Sequence, residues 1–161
     1  MEIKVIKGII DSNTFVLTKD DTTIVIDAGA KYNGKADAVL ITHEHYDHNT
    51  HADGYACPVY RHPFPPALTI GDFEIQCIHA PGHSPCSTLF LIDDHLFTGD
   101  VLFRGTIGRM DLPGGCEKQM AESLRKLLDV KFTIAHHGHG PDTTYEEQQA
   151  NIKRQLSYLE D

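Results

Sequence analysis

Three histidines and an aspartate fall within six residues in the run Thr42-His43-Glu44-His45-Tyr46-Asp47-His48-Asn49. The run follows directly on Ala38-Val39-Leu40-Ile41, a solid apolar stretch of the kind that forms a strand buried on both faces. Burying so many ionisable groups costs free energy unless a metal or paired charges satisfy them. The fold must therefore gather them at one point. In extended backbone His43 and His45 leave from the same face, whereas adjacent Asp47 and His48 point to different sides. A turn is required there if both are to act as ligands. Neutral imidazole and carboxylate are donors that Zn²⁺ and Fe²⁺ accept at neutral pH.

Further candidate ligands follow, each at an expected strand end or in a glycine-bounded loop. They are His83 in Ala80-Pro81-Gly82-His83-Ser84, Asp100 in Phe97-Thr98-Gly99-Asp100, and His139 in His136-His137-Gly138-His139-Gly140, where His137 competes for the last place. Flanking glycines let the backbone turn sharply and approach an ion closely. One Gly-His or Gly-Asp loop is usually only a turn; the set in this order carries far more weight. The remaining histidines, His51, His62, His79, His95 and His136, read as surface or packing residues.

The rest of the chain supplies a scaffold rich in strands. Ile3–Ile6, Thr14–Leu17 and Thr23–Ile26 are short β-branched or aromatic runs separated by turn residues. Phe73, Ile75 and Cys77 alternate with polar residues, and 88–92 and 95–98 flank Asp93-Asp94 as in a hairpin. Helices come later: Met120, Ala121, Leu124, Leu127 and Leu128 share one helical face within 117–129. A strand is expected at 132–135. Thr144 and Glu147 have capping-box spacing at the start of a last helix carrying Tyr145, Ile152, Leu156 and Leu159. With no linker, repeat or low-complexity segment, residues 1–161 read as a single layered α/β (α+β) domain.

Composition narrows the functions. With 14 basic and 23 acidic residues in 161, the net charge is −9, which argues against a nucleic-acid binder. No apolar run is long enough to span a membrane, and the first residues contain no secretory h-region. The four widely spaced cysteines, Cys57, Cys77, Cys86 and Cys116, then read as reduced thiols of a cytoplasmic protein, with Cys77 in the core.

Together these motifs resemble the metallo-β-lactamase fold superfamily, whose pattern is H-x-H-x-D-H followed by His, Asp and His. The resemblance runs from Ile26-Asp27-Ala28-Gly29 to Gly138-His139-Gly140-Pro141-Asp142-Thr143-Thr144. Within the superfamily, Pro81-Gly82-His83-Ser84-Pro85, Gly99-Asp100-Val101-Leu102-Phe103 and Ile107-Gly108-Arg109-Met110-Asp111-Leu112-Pro113 are similar to small glyoxalase II-like hydrolases. The resemblance implies an αββα sandwich of two packed mixed sheets flanked by helices, with two divalent metals at one edge. Zinc comes first among these, and iron or manganese would also serve. It puts His43, His45 and His83 on one metal and Asp47, His48 and His139 on the other, with Asp100 bridging and Asp27 orienting a ligand histidine. The implied reaction is attack by a metal-bridging hydroxide on a small-molecule thioester, with Asp47 orienting the nucleophile.

Several departures from family patterns refine that expectation. Asp100 stands where classical di-zinc β-lactamases carry Cys, and His45 where flavodiiron proteins carry Glu. Antibiotic hydrolysis and oxygen reduction are therefore disfavoured. The chain ends soon after His139, so the extra helical domain with which glyoxalase II holds glutathione is not expected. The stretch between Gly29 and Val39 is too short for the helix often found there, and Cys86 stands where Gly is common. Arg104 and Arg109 are candidates either for an anion pocket or for structural ion pairs. A persulfide dioxygenase holding one iron on residues matching His43, His83 and Asp100 is the alternative function; it shares a Gly-Arg-x-Asp segment like Gly108–Asp111. A phosphodiesterase or nuclease is a more remote one. Oligomeric state is not legible.

Overall fold

The computed structural model describes residues 1–160. Its first sheet runs in the order β1 (Glu2–Lys7), β2 (Asn13–Lys19), β3 (Thr22–Ile26), β4 (Ala38–Leu40) and β5 (Val59–Tyr60). The first three strands pair antiparallel, and β3–β4 and β4–β5 pair parallel. A single helical turn, α1 (Tyr46–Asn49), lies between β4 and β5. The second sheet is built from β6 (Ala67–Ile70), β7 (Phe73–His79), β8 (Thr88–Ile92) and β9 (His95–Phe97), completed by β12 (Ile134–His136) and β13 (Thr143–Thr144) in the order β13-β12-β9-β8-β7-β6. A small hairpin, β10 (Leu102–Phe103) with β11 (Thr106–Ile107), follows β9, and helices α2 (Glu117–Leu127) and α3 (Tyr145–Leu159) complete the chain.

Three apolar clusters show how the layers stack. Phe15, Leu17, Ile24, Ile26 and Leu40 of the first sheet meet Phe73, Ile75, Phe90, Ile92 and Phe97 of the second. The outer face of the second sheet, through Ile78, Leu89 and Leu96, packs on Met120, Leu124 and Leu127 of α2 and Ile152 and Leu156 of α3. The outer face of the first sheet, through Val16, Val25 and Val39, is covered by loop residues and the 3-10 turn Ala52–Gly54. No helix lies between β3 and β4, as the short stretch there implies. The continuous apolar run of β4 follows from this sandwich, since Leu40 faces one cluster while Val39 and Ile41 face another.

Other sequence expectations shift in detail. The expected strand at 132–135 begins at Ile134, because Phe132 turns into the core beside α2 and α3. Cys77 is half-buried at the edge of the inter-sheet core, and burial pushes its thiol up to about 11. Thr144 caps α3 reciprocally with Glu147, as its spacing predicts. No helix among the described residues is long and apolar enough to cross a membrane.

Candidate metal centre

Strand direction brings the ligand candidates together. β7, β9 and β12 run the same way in the second sheet, and their C-terminal ends lead into His83, Asp100 and His139 respectively. In the first sheet, parallel β3 and β4 lead into Asp27 and into the His43–His48 run. The turn that Asp47 and His48 require is α1, whose N-cap is His45.

Seven side chains converge in two sets. Single donor atoms of His43, His45 and His83 lie within 4.8 Å of one another, and so do those of Asp47, His48, Asp100 and His139. Asp100 faces both: its Oδ2 is 3.6 Å from Nε2 of His43, His83 and His139, and its Oδ1 is 3.1 Å from His48 Nε2. Asp47 Oδ2 is 2.9 Å from His139 Nε2 and 3.4 Å from His48 Nε2. His137 stays out of the cluster. It is fully buried, with Nδ1 on Thr98 Oγ1 and Nε2 on Thr143 Oγ1, and burial lowers its pKa to about 4.

Hydrogen bonds behind the cluster fix which nitrogen each ring presents. Asp27, in left-handed backbone with φ 65°, accepts the Thr42 amide on Oδ1 and both Thr42 Oγ1–H and His48 Nδ1–H on Oδ2. The only hydroxyl hydrogen of Thr42 is spent on Asp27, so Oγ1 must accept from His43 Nδ1–H at 2.9 Å. His83 Nδ1–H donates to the Arg109 carbonyl. Nε2 of His43 and His83 therefore faces the cluster as a bare lone pair, and His48, held at Nδ1 by Asp27, turns its Nε2 to the cluster as well, the arrangement in which outer partners orient metal-binding imidazoles. Sequence reasoning assigned Asp27 an orienting role but did not reach Thr42 or the Arg109 carbonyl, which works through its backbone.

The electrostatics fit a cation. Burial lowers the pKa of His43, His45 and His83, so they stand neutral, as ligands must. Burial also opposes charge on His48, but Asp27, Asp100 and Asp47 outweigh it and push the ring up to about 12. Asp100 and Asp47 push His139 up to about 9. Despite their burial, Asp47 and Asp100 stay below the usual carboxylate range because the His139 and His48 rings stand beside them. Three buried side-chain polar atoms lack a hydrogen-bond partner among the described residues, and two of them, His43 Nε2 and Asp100 Oδ1, point into this cluster. Orphaned buried acceptors are rare in proteins, and a divalent ion would satisfy both.

The cluster floors a cavity of about 820 Å³, walled by Phe103, Ile107 and Leu112 and bordered by Ile10, Tyr46 and Arg104. Of the two arginine candidates, Arg109 grips Asp111 with Nε and Nη2, whereas Arg104 forms no hydrogen bond among the described residues. Cys86, near Ser84, does not line the cavity. His136, 5% exposed, stacks on Phe97, and His62 stacks on His79, as packing residues do.

Comparison with known proteins agrees with this picture. The sequence pattern of the beta-lactamase superfamily domain matches residues 9–155. The chain is 31% identical to the probable metallo-hydrolase YqgX of Bacillus subtilis (strain 168), over 84% of this chain and 88% of that protein. A shorter stretch, 52% of this chain and 42% of the relative, is 39% identical to the hydroxyacylglutathione hydrolase GloC of Haemophilus influenzae. The crystal structure of BLEG-1, described as a B3 metallo-beta-lactamase, superposes with a TM-score of 0.83 at 29% identity, over 92% of this chain and 97% of that one. TTHA1623, crystallised in a di-iron-bound form, superposes with a TM-score of 0.77 at 27% identity, over 89% and 94%. The chain thus belongs to the beta-lactamase superfamily, with the metallo-β-lactamase fold and the His/Asp cluster of a metal-dependent hydrolase.

Proposed function

We propose that the protein is a dinuclear metallohydrolase, with zinc as its metal, that cleaves small-molecule thioesters. The observation that carries this reading is the convergence of two donor sets around Asp100 on the floor of one cavity. His43, His45 and His83 would hold the first ion, Asp47, His48 and His139 the second, and Asp100 both. Bound there, divalent ions supply a water-derived nucleophile at neutral pH and a Lewis acid for the substrate carbonyl.

The chain's own groups do the rest. Asp47 Oδ2 is engaged by His139 and His48, which leaves Oδ1 to accept a hydrogen bond from the attacking water and orient it. Apart from the Tyr46 phenol and the two arginines, every titratable group of the described residues that lines the cavity belongs to the seven. No serine or cysteine lines it either. With no free carboxyl or imidazole to protonate a leaving group, the site suits one that departs as an anion. A thiol, with a pKa of about 8.5, does so far more readily than an alcohol. The partial likeness to GloC supports the same substrate class.

The mononuclear dioxygenase alternative needs only His43, His83 and Asp100. It leaves unexplained why His45, Asp47, His48 and His139 also stand at ligand distance. Because the site draws on residues from 27 to 139, we take residues 1–161 as one functional domain. All four cysteines are unpaired, which supports a reducing compartment such as the cytoplasm.

Elemental analysis of the purified protein tests the reading directly. About two zinc ions per chain, with turnover of S-lactoylglutathione or another thioester, is the expected result. About one iron per chain, with oxygen consumed in the presence of persulfides, would overturn it.

A further inference from the structure

The rim of the cavity holds two features that the metal chemistry does not use. The first is Ile10. It sits in left-handed backbone, φ 55° and ψ 33°, beside Asp11 at φ 58°. Left-handed backbone costs an L-residue about 1–2 kcal/mol, and for a β-branched one it is an outlier. The turn is pinned by Gly8 N–H to Ser12 O, Asp11 N–H to Gly8 O and Ser12 N–H to Ile9 O. Its strained residue carries an apolar side chain that is 76% exposed, so neither packing nor backbone preference accounts for isoleucine there. Of six large apolar side chains exposed on the described protein, Ile10, Tyr46 and Leu112 all line this one cavity. They form an apolar shelf at its mouth.

The second feature is Arg104. Its side chain is 62% exposed and makes no hydrogen bond among the described residues. Its nearest acid, Glu147, is 3.8 Å away and already accepts the Thr144 amide in the cap of α3. Arg109, the other arginine of the rim, is neutralised by both oxygens of Asp111. The mouth therefore offers one guanidinium with its donors free, on a chain of net charge −9 whose cavity floor is lined by Asp47 and Asp100.

Resting on the thioesterase reading above, we infer that the mouth selects thioesters with an apolar stem and one anionic end, Ile10 packing on the stem and Arg104 reading the anion. A carboxylate and a phosphate share the chemistry that a free guanidinium recognises. Hydrolysis forms the acyl C–O bond and breaks the C–S bond, and the anion takes no part in either; Arg104 acts on binding alone.

The test uses the metal-loaded protein with three acetyl thioesters: of neutral N-acetylcysteamine, of 3-mercaptopropionate, which ends in a carboxylate, and of phosphopantetheine, which ends in a phosphate. At least one anionic thioester is expected to exceed the neutral one in kcat/KM by about tenfold or more, as charge-assisted hydrogen bonds allow, and chiefly through KM. Whichever anionic arm has the lower KM names the source. Arg104→Gln should collapse the anionic-to-neutral ratio to about one, and Arg104→Lys should keep part of it. Ile10→Asn, which tolerates left-handed backbone, should raise KM about threefold or more through lost apolar contact while Tm stays level or rises. A purely structural Ile10 would instead lose Tm with KM unmoved. Equal use of all three thioesters by the wild type, or discrimination that survives Arg104→Gln, overturns the inference and leaves the thioesterase reading standing. If no thioester is cleaved, that reading fails. Calorimetric binding of 3-mercaptopropionate and N-acetylcysteamine to wild type and Arg104→Gln then decides the mouth's charge preference independently, and equal binding to both proteins would overturn it.

Discussion

Asp27 commands both halves of the cluster without offering it a donor atom. One carboxylate oxygen holds the His48 ring directly and the other holds the Thr42 amide, while the Thr42 hydroxyl passes the constraint on to His43. Asp27→Asn should therefore lower metal affinity about 10- to 100-fold, measured by chelator competition, with little change in secondary structure by circular dichroism. His48 and His43 belong to different donor sets. His48→Ala should accordingly strip the second ion while leaving most of the first; equal loss of both in elemental analysis would sink the assignment. At this scale the ligand types were readable in advance, because histidine and aspartate at strand ends have few other uses. Thr42 and the Arg109 carbonyl were not, since a hydroxyl or backbone oxygen becomes a partner only through the position of another strand.

Among the elements, the loop after β12 depends most on a distant residue. Buried Asn13, at the start of β2, donates through Nδ2 to the carbonyls of His137 and Gly140 and through its amide to the carbonyl of Gly138. His139 lies between those anchors. Gly138 has to lack a side chain, because a Cβ there would collide with Asp100 Oδ1 and crowd His48. Asn13→Ala leaves the buried His137 carbonyl and the exposed Gly140 carbonyl without that donor, at a cost of about 1–3 kcal/mol for the buried one, and frees the loop. We expect a lower Tm and a weaker second metal-binding step, with the first step retained in a calorimetric titration. Helices α2 and α3 and most of the longer strands were legible from apolar spacing, β6 being missed. The two-residue strands β5, β10, β11 and β13 were not, because each exists only by pairing with a partner that periodicity does not reveal.

For the molecule as a whole, the metal centre ties the two sheets together, since one sheet contributes His43 to His48 and the other His83, Asp100 and His139. Ions bound at about 1,000 times their Kd stabilise by about 4 kcal/mol per site, which is about 10 °C in Tm for a chain of this size. Chelation followed by scanning calorimetry should show a drop of at least that size, reversed by adding zinc. An unchanged Tm would mean that the sheets close without help from the site.

The sequence by itself determined the chemistry available: which donors exist and that they sit at the ends of apolar strands. These properties are local, set by residue type and by the two- and four-residue periods of strand and helix. Tertiary structure alone decided that Asp27 Oδ2 meets the His48 ring, that Thr98 holds the His137 ring away from the cluster, and that Arg104 is left without a hydrogen bond among the described residues. The first two of those outcomes depend on segments far apart in the chain arriving within hydrogen-bond distance. Spacing along one segment holds no information about that arrival.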